Sequence, residues 1–151
     1  MLRPKKKIQL HVNNDIYYVW VGGSCDYAHE ERCGGAAYII EKEGERQEEF
    51  VISDRNTTEF RMMLQVMIHA MSILPESSKI CFLTNVAYLQ NFDKAPSEKT
   101  ANADLINLCI TSKLRHAQCQ VKLVPYYKFV QLSETHEMAH EAMLMLRNNK
   151  N

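Results

Sequence analysis

Residues 16–21 (IYYVWV) are β-branched and aromatic and stop at Gly22-Gly23, a pattern that predicts a strand. Residues 8–12 (IQLHV) alternate in the same way, and Asn13-Asn14-Asp15 between the two runs is turn chemistry, so they form a hairpin or one interrupted strand. GGAAYII (34–40) and RQEEFVI (46–52) predict two more strands joined by a turn at Gly44. The period then changes. Phe60, Met63, Leu64, Met67, Ile68, Met71 and Leu74 recur at intervals of three and four, which predicts a helix capped by Thr57 or Thr58 and closed by Pro75. KICFLT (79–84) is short and nearly all apolar, as a strand covered on both faces must be. Leu105, Leu108, Cys109 and Leu114 mark a second helix and CQVKLVPYY (119–127) a last strand. Residues 134–147 form a final helix with Met138, Ala142, Met145 and Leu146 as its apolar stripe.

The resulting order is β-β-β-α-β-α-β-α. Three leading strands with turn-sized connections imply an antiparallel meander, and the alternation that follows implies parallel crossovers. The expected architecture is α/β: a mixed five-stranded sheet with helices on both faces. Residues 1–15 read as a leader carrying a possible extra strand, 16–147 as one domain and 148–151 as a tail.

Composition narrows the function. Lys plus Arg equals Asp plus Glu at 18 each, so no global positive charge drives non-specific binding to a phosphate backbone; only a local patch such as RPKKK (3–7) remains, read here as a solvated leader. The five cysteines are scattered without a CxxC pair, nothing at the start resembles a signal peptide, and no stretch approaches the ~20 apolar residues of a membrane span. A reduced, cytoplasmic protein is expected.

Four local strings, in order, resemble type 1 ribonuclease H. Val21-Gly22-Gly23-Ser24-Cys25, leading to Gly34-Gly35-Ala36-Ala37, is similar to the family's T-D-G-S strand end and its following G-G. Thr58-Glu59-Phe60-Arg61-Met62-Met63-Leu64 resembles T-N-N-R-x-E-L. Thr84-Asn85-Val86-Ala87-Tyr88-Leu89 resembles T-D-S-x-Y-V, and Ala139-His140 stands for the A-D pair of the last helix. The resemblance implies the ribonuclease H fold over residues 16–147 and cleavage of RNA in RNA–DNA hybrids by two divalent metals held on carboxylates.

The carboxylates themselves are replaced. The implied metal positions read Gly22, Met63, Asn85 and His140, and the family's mobile histidine falls near Val130 when no gap intervenes. Mg²⁺ takes hard oxygen ligands, and a glycine, a thioether and a neutral amide serve it badly. The leading expectation is a catalytically inactive binding module with nucleic acid as inherited ligand, contacted near Gly23, Ser24, Thr58 and Lys128 and held weakly. One alternative is an Mg²⁺- or Mn²⁺-dependent nuclease with displaced ligands, drawn from Asp26, Glu59, Asp104 or Glu137, of which Glu59 lies one turn before Met63. Another is a structural homo-oligomer or protein-binding surface with no nucleic-acid role.

Other chemistry is thinner. HEMAH (136–140) matches the H-E-x-x-H zinc pattern, but a third ligand would have to come from His11, His29, His69 or His116. His136 and His140 alone define a weak Zn²⁺ or Ni²⁺ site, against the plainer reading of surface histidines. Cys25 with His29 four residues on lacks an orienting acid. Tyr126, Tyr127 and Phe129 serve as packing aromatics or as a stacking surface for bases.

Overall fold

The structure is a computed structural model describing residues 12–97 and 100–149. The expected strand at residues 8–12 lies almost wholly outside the described residues. Five strands, β1 (Ile16–Cys25), β2 (Gly34–Lys42), β3 (Glu45–Asp54), β4 (Lys79–Thr84) and β5 (Gln118–Leu123), form one sheet in the order β3-β2-β1-β4-β5. β2 pairs antiparallel with β1 and β3, while β4 pairs parallel with β1 and β5. The helices are α1 (Glu59–Ile73), α2 (Ala103–Lys113) and α3 (Val130–Asn148).

Alternation along β1 explains the layering. Val19 and Val21 face a core built with α1 and α2, whereas Tyr18 and Trp20 face a smaller core that includes Leu132 of α3. Helices therefore cover both faces, as the period changes in the sequence require. α1 starts where Thr58 accepts a hydrogen bond from the Arg61 N–H at 3.2 Å, a cap that contributes about 1 kcal/mol. Arg61 then reaches Asn102 and Asp104 at the start of α2 and clamps the two helices together.

Three boundaries differ from expectation. β5 ends at Leu123, because Pro125 has no N–H for a ladder bond, and Tyr126–Lys128 form a 3-10 turn instead. α3 begins at Val130, four residues earlier than the sequence pattern indicates. Its buried stripe is Leu132, Thr135, Ala139 and Met143; Met145, expected inside, is 76% exposed. The small residues Thr135 and Ala139 lie against glycines of the sheet, so closeness of backbones rather than side-chain size selects the buried face. Leu108 of α2 and Leu114 just after it are exposed, and Leu105, Ile106 and Cys109 supply the packing.

Candidate functional site

A cavity of about 460 Å³ opens at the carboxyl ends of β1 and β4, against α1 and α3. Its walls are Gly22 to Cys25 from β1, Glu59 from the first turn of α1, Asn85 and Val86 after β4, Tyr126, and Leu132 and His136 from α3. Parallel strands end there together, and that is where an open α/β sheet leaves a crevice.

Gly22 and Gly23 form the floor and differ in role. A Cβ at Gly22 would stand 2.5 Å from Thr135 Oγ1 and 2.9 Å from the His136 backbone nitrogen. The glycine thus admits the backbone of α3. A Cβ at Gly23 would meet Met63 Cγ at 2.8 Å and Glu59 Cγ at 2.9 Å, on the opposite face of the sheet.

Glu59 supplies the carboxylate of the cavity wall. Burial pushes its pKa above the ordinary carboxylate value, opposed by the charge of His136 and by a hydrogen bond with Tyr88. Its backbone N–H donates to the Tyr27 hydroxyl at 3.2 Å. Burial raises the Tyr88 phenol as well, and next in importance is the negative charge of Glu59. Neither tyrosine is a sequence neighbour of Glu59, and no pattern in the chain announced the cluster.

On the α3 side, His136 Nδ1 lies 3.1 Å from the Gly23 carbonyl oxygen. A carbonyl only accepts, so that nitrogen carries the hydrogen and donates it. One turn later His140 Nδ1 lies 3.2 Å from Ser24 Oγ. The two rings are nearly parallel, 13° apart with centroids separated by 6.2 Å, and Tyr126 stands edge-on to His136 at 6.0 Å.

The residues marked in the sequence fall as follows. Gly22 and Asn85 line the cavity. Met63 is wholly buried in the α1-side core. The histidine that faces the floor is His136, while His140 sits one turn along α3 beside Ser24. Of the proposed contacts, Gly23 and Ser24 line the cavity and Thr58 is committed to capping α1. Lys128 lies in the turn before α3 with its Nζ 5.3 Å from the ring centre of Tyr127, which is 80% exposed. Val130 is the exposed first residue of α3.

Among the four replacement acids, Glu59 alone lines the cavity. Asp26 is paired with Arg147 at 2.6 Å and Asp104 with Arg61 at 3.0 Å, while Glu137 is exposed on α3. The walls do not fit a pair of Mg²⁺ ions. One carboxylate, raised in pKa, with a neutral amide and an imidazole lacks the anionic oxygens that two hard cations need.

The remaining candidates also resolve. Cys25 interacts with Tyr27 rather than with His29, and burial raises its thiol, the reverse of an activated nucleophile. His29 instead groups with Glu31 and Cys33, their ligand atoms within 4.8 Å of one another. The Arg55 guanidinium is bonded to both Glu31 and Cys33 and already supplies that group's cation. His69 bonds Tyr38 and stacks on Phe50, on the α1 face of the sheet. His116 bonds the Met71 carbonyl. Neither joins His136 and His140 as a third protease ligand, and His11 lies outside the described residues.

No protein-family model and no curated protein matches the chain. Solved structures do. LC9-RNase H1, a type 1 RNase H with the type 2 active-site motif, matches with a TM-score of 0.72 and 18% identity over 90% of this chain and 75% of its own. LC11-RNase H1, solved in complex with an RNA/DNA hybrid, matches with a TM-score of 0.72 and 14% identity over 86% of this chain and 98% of its own. The chain has the ribonuclease H-like fold. Among the described residues, no helix is long and apolar enough to cross a membrane.

Proposed function

We propose that the chain is a ribonuclease H-like binding module that takes nucleic acid in the cleft between β1, α1 and α3 and does not hydrolyse it. The observation that carries the reading is the cavity wall, where Gly22, Asn85 and His136 stand beside Glu59, the one carboxylate among its lining residues. The cavity is open and polar and is not filled by Met63, so a ligand has room. Tyr127 and Lys128, exposed beside Tyr126 at its edge, offer a stacking face and a cation. The hybrid bound by LC11-RNase H1 supports nucleic acid as the ligand class.

The test is fluorescence anisotropy with labelled RNA–DNA hybrid, RNA and DNA in EDTA at low salt, followed by incubation with Mg²⁺ or Mn²⁺. Binding should weaken as salt rises, and Lys128→Ala should lower the slope of log K against log salt by about 1. The hybrid should stay intact. Absence of binding to all three ligands refutes the nucleic-acid reading. Cleavage that disappears in Glu59→Gln refutes inactivity and establishes a nuclease with a displaced ligand.

A further inference from the structure

We propose that His136 and His140 are a phosphate clamp: as imidazolium ions, each takes one of two successive phosphates of a single strand, so that binding responds to pH. The clamp presupposes nucleic acid in this cleft, as proposed above, and names what holds its backbone there. The two residues are four apart on α3 and share one exposed face. Their rings are held by consecutive residues of β1, His136 through the Gly23 carbonyl at 3.1 Å and His140 through the Ser24 hydroxyl at 3.2 Å. Both contacts use Nδ1, which turns each Nε2 away from the strand. Among the described residues, neither Nε2 has a hydrogen-bond partner.

The ring centres are 6.2 Å apart and the ring planes 13° apart. Nitrogens aimed alike at that separation do not converge, so the pair does not fit the single Zn²⁺ or Ni²⁺ ion that the sequence suggests. It fits two acceptors with a similar spacing. Neighbouring phosphates of one strand, joined through a single sugar, present their anionic oxygens in that way. Protonation leaves the anchors intact: an imidazolium donates from both nitrogens, and the Gly23 carbonyl and Ser24 Oγ both accept. Each Nε2–H is then free to make a charge-assisted bond to a phosphate oxygen. Around the pair, Glu59 of α1 interacts electrostatically with His136, and Tyr126 stands edge-on to its ring. Cys25 of β1 lines the same cavity, Glu137 and Glu141 are exposed on α3 itself, and Asp26 after β1 is committed to Arg147.

The test is fluorescence anisotropy with the full chain and labelled single-stranded RNA and DNA, as salt series at about pH 8 and about pH 5.5. On acidification, affinity should rise by about 10-fold for each histidine, and the slope of log K against log salt should steepen by about 0.7 for each. His136→Gln and His140→Gln should each remove about half of that response, whereas Lys128→Ala should keep it. A strand with alternate methylphosphonate linkages has no two charged neighbours and should show the response of one histidine only. Inorganic phosphate at the strand's concentration should not displace it. In the unaltered protein, NMR should show the strand shifting the Nε2 signals of His136 and His140 but not those of His29, His69 and His116, which keeps the test independent of how the variants fold. Binding without a pH response, or a response that survives both histidine variants, overturns the clamp and leaves the proposed function standing. A full response on the alternating strand, or displacement by inorganic phosphate, also overturns it, since the pair would then hold single anions. Absence of binding to every strand at both pH values overturns the proposed function and the clamp with it.

Discussion

Replacing Gly22 by alanine tests whether that glycine is a vacancy or a packing requirement. At a backbone conformation open to any residue, Gly→Ala ordinarily stabilises by about 0.4–1 kcal/mol, because it restricts the unfolded chain. Gly22 is not among the residues with positive φ, so backbone strain gives no reason for the opposite sign. Space does. The added Cβ would lie 2.5 Å from Thr135 Oγ1, 2.9 Å from His136 N and 3.0 Å from the Thr135 carbonyl carbon. Two of these atoms are helix backbone, so relief requires α3 to move, and overpacking of that kind costs about 1–3 kcal/mol. Repulsion outweighs the entropic gain, leaving a net destabilisation of roughly 1–2 kcal/mol, or a fall of about 2–8 °C in Tm for a chain of this length. Trp20, the only tryptophan, is 1% exposed and lies 5.1 Å from the Phe129 ring just before α3, so urea unfolding followed by its fluorescence reports the effect. Gly22→Asp should be less stable still and should not confer hybrid cleavage. A Gly22→Ala protein as stable as the original, or more so, refutes the packing argument.

Gly35→Ala should destabilise more than Gly22→Ala in the same assay, because its Cβ would run into the Ala139 carbonyl oxygen, a backbone atom in mid-helix. Arg55→Ala should cost about 1–3 kcal/mol and speed amide exchange in the last turn of α3, since Arg55 Nη2 donates to the carbonyls of Leu146 at 2.8 Å and Asn149 at 2.9 Å. Glu59 holds its proton more tightly folded than unfolded. It therefore supports folding below its unfolded pKa, and that support is lost as pH rises through the folded value. Glu59→Gln keeps a neutral acceptor for Tyr88, so in Tm measurements from about pH 4 to 8 the variant should gain on the original protein as pH rises. Parallel profiles would refute the assignment.

The sheet and its helices were legible because each rests on a periodicity within one segment: alternation along β1, the three-and-four spacing of α1, the apolar run of β4. The site was legible only where it depended on local strings. The last residues of β1 and the turn after β4 place Gly22 and Asn85 in the cavity wall, at positions a string comparison can mark. Which histidine of α3 faces them depends on how the helix lies on the sheet. That register is set by Thr135 against Gly22 and Ala139 against Gly35, contacts between residues more than a hundred positions apart. Hence the string Ala139-His140 pointed one turn beyond His136. The methionine stripe of α1 hid a second limit. Periodicity says that Met63 is inside, but not that Glu59, one turn earlier, meets Tyr88 and Tyr27 from two separate loops.

Gly22 and Met63 stand at two of the positions where the ribonuclease H resemblance implies metal ligands. If Gly22 were an empty ligand position, restoring aspartate there would meet open space; instead it meets the backbone of α3. Met63, at another such position, fills the core beneath Gly23 and is closed to solvent. Two of the four expected ligand positions are thus occupied by packing. The other cavity groups, Glu59 with Tyr88 and His136 with the Gly23 carbonyl, are held by hydrogen bonds of their own. A single substitution that returns one carboxylate therefore strains the helix or buries a charge before it can recruit a metal. A carboxylate at position 22 would require α3 to sit farther from β1, and that shift would break the contacts of His136 with the Gly23 carbonyl and of His140 with Ser24.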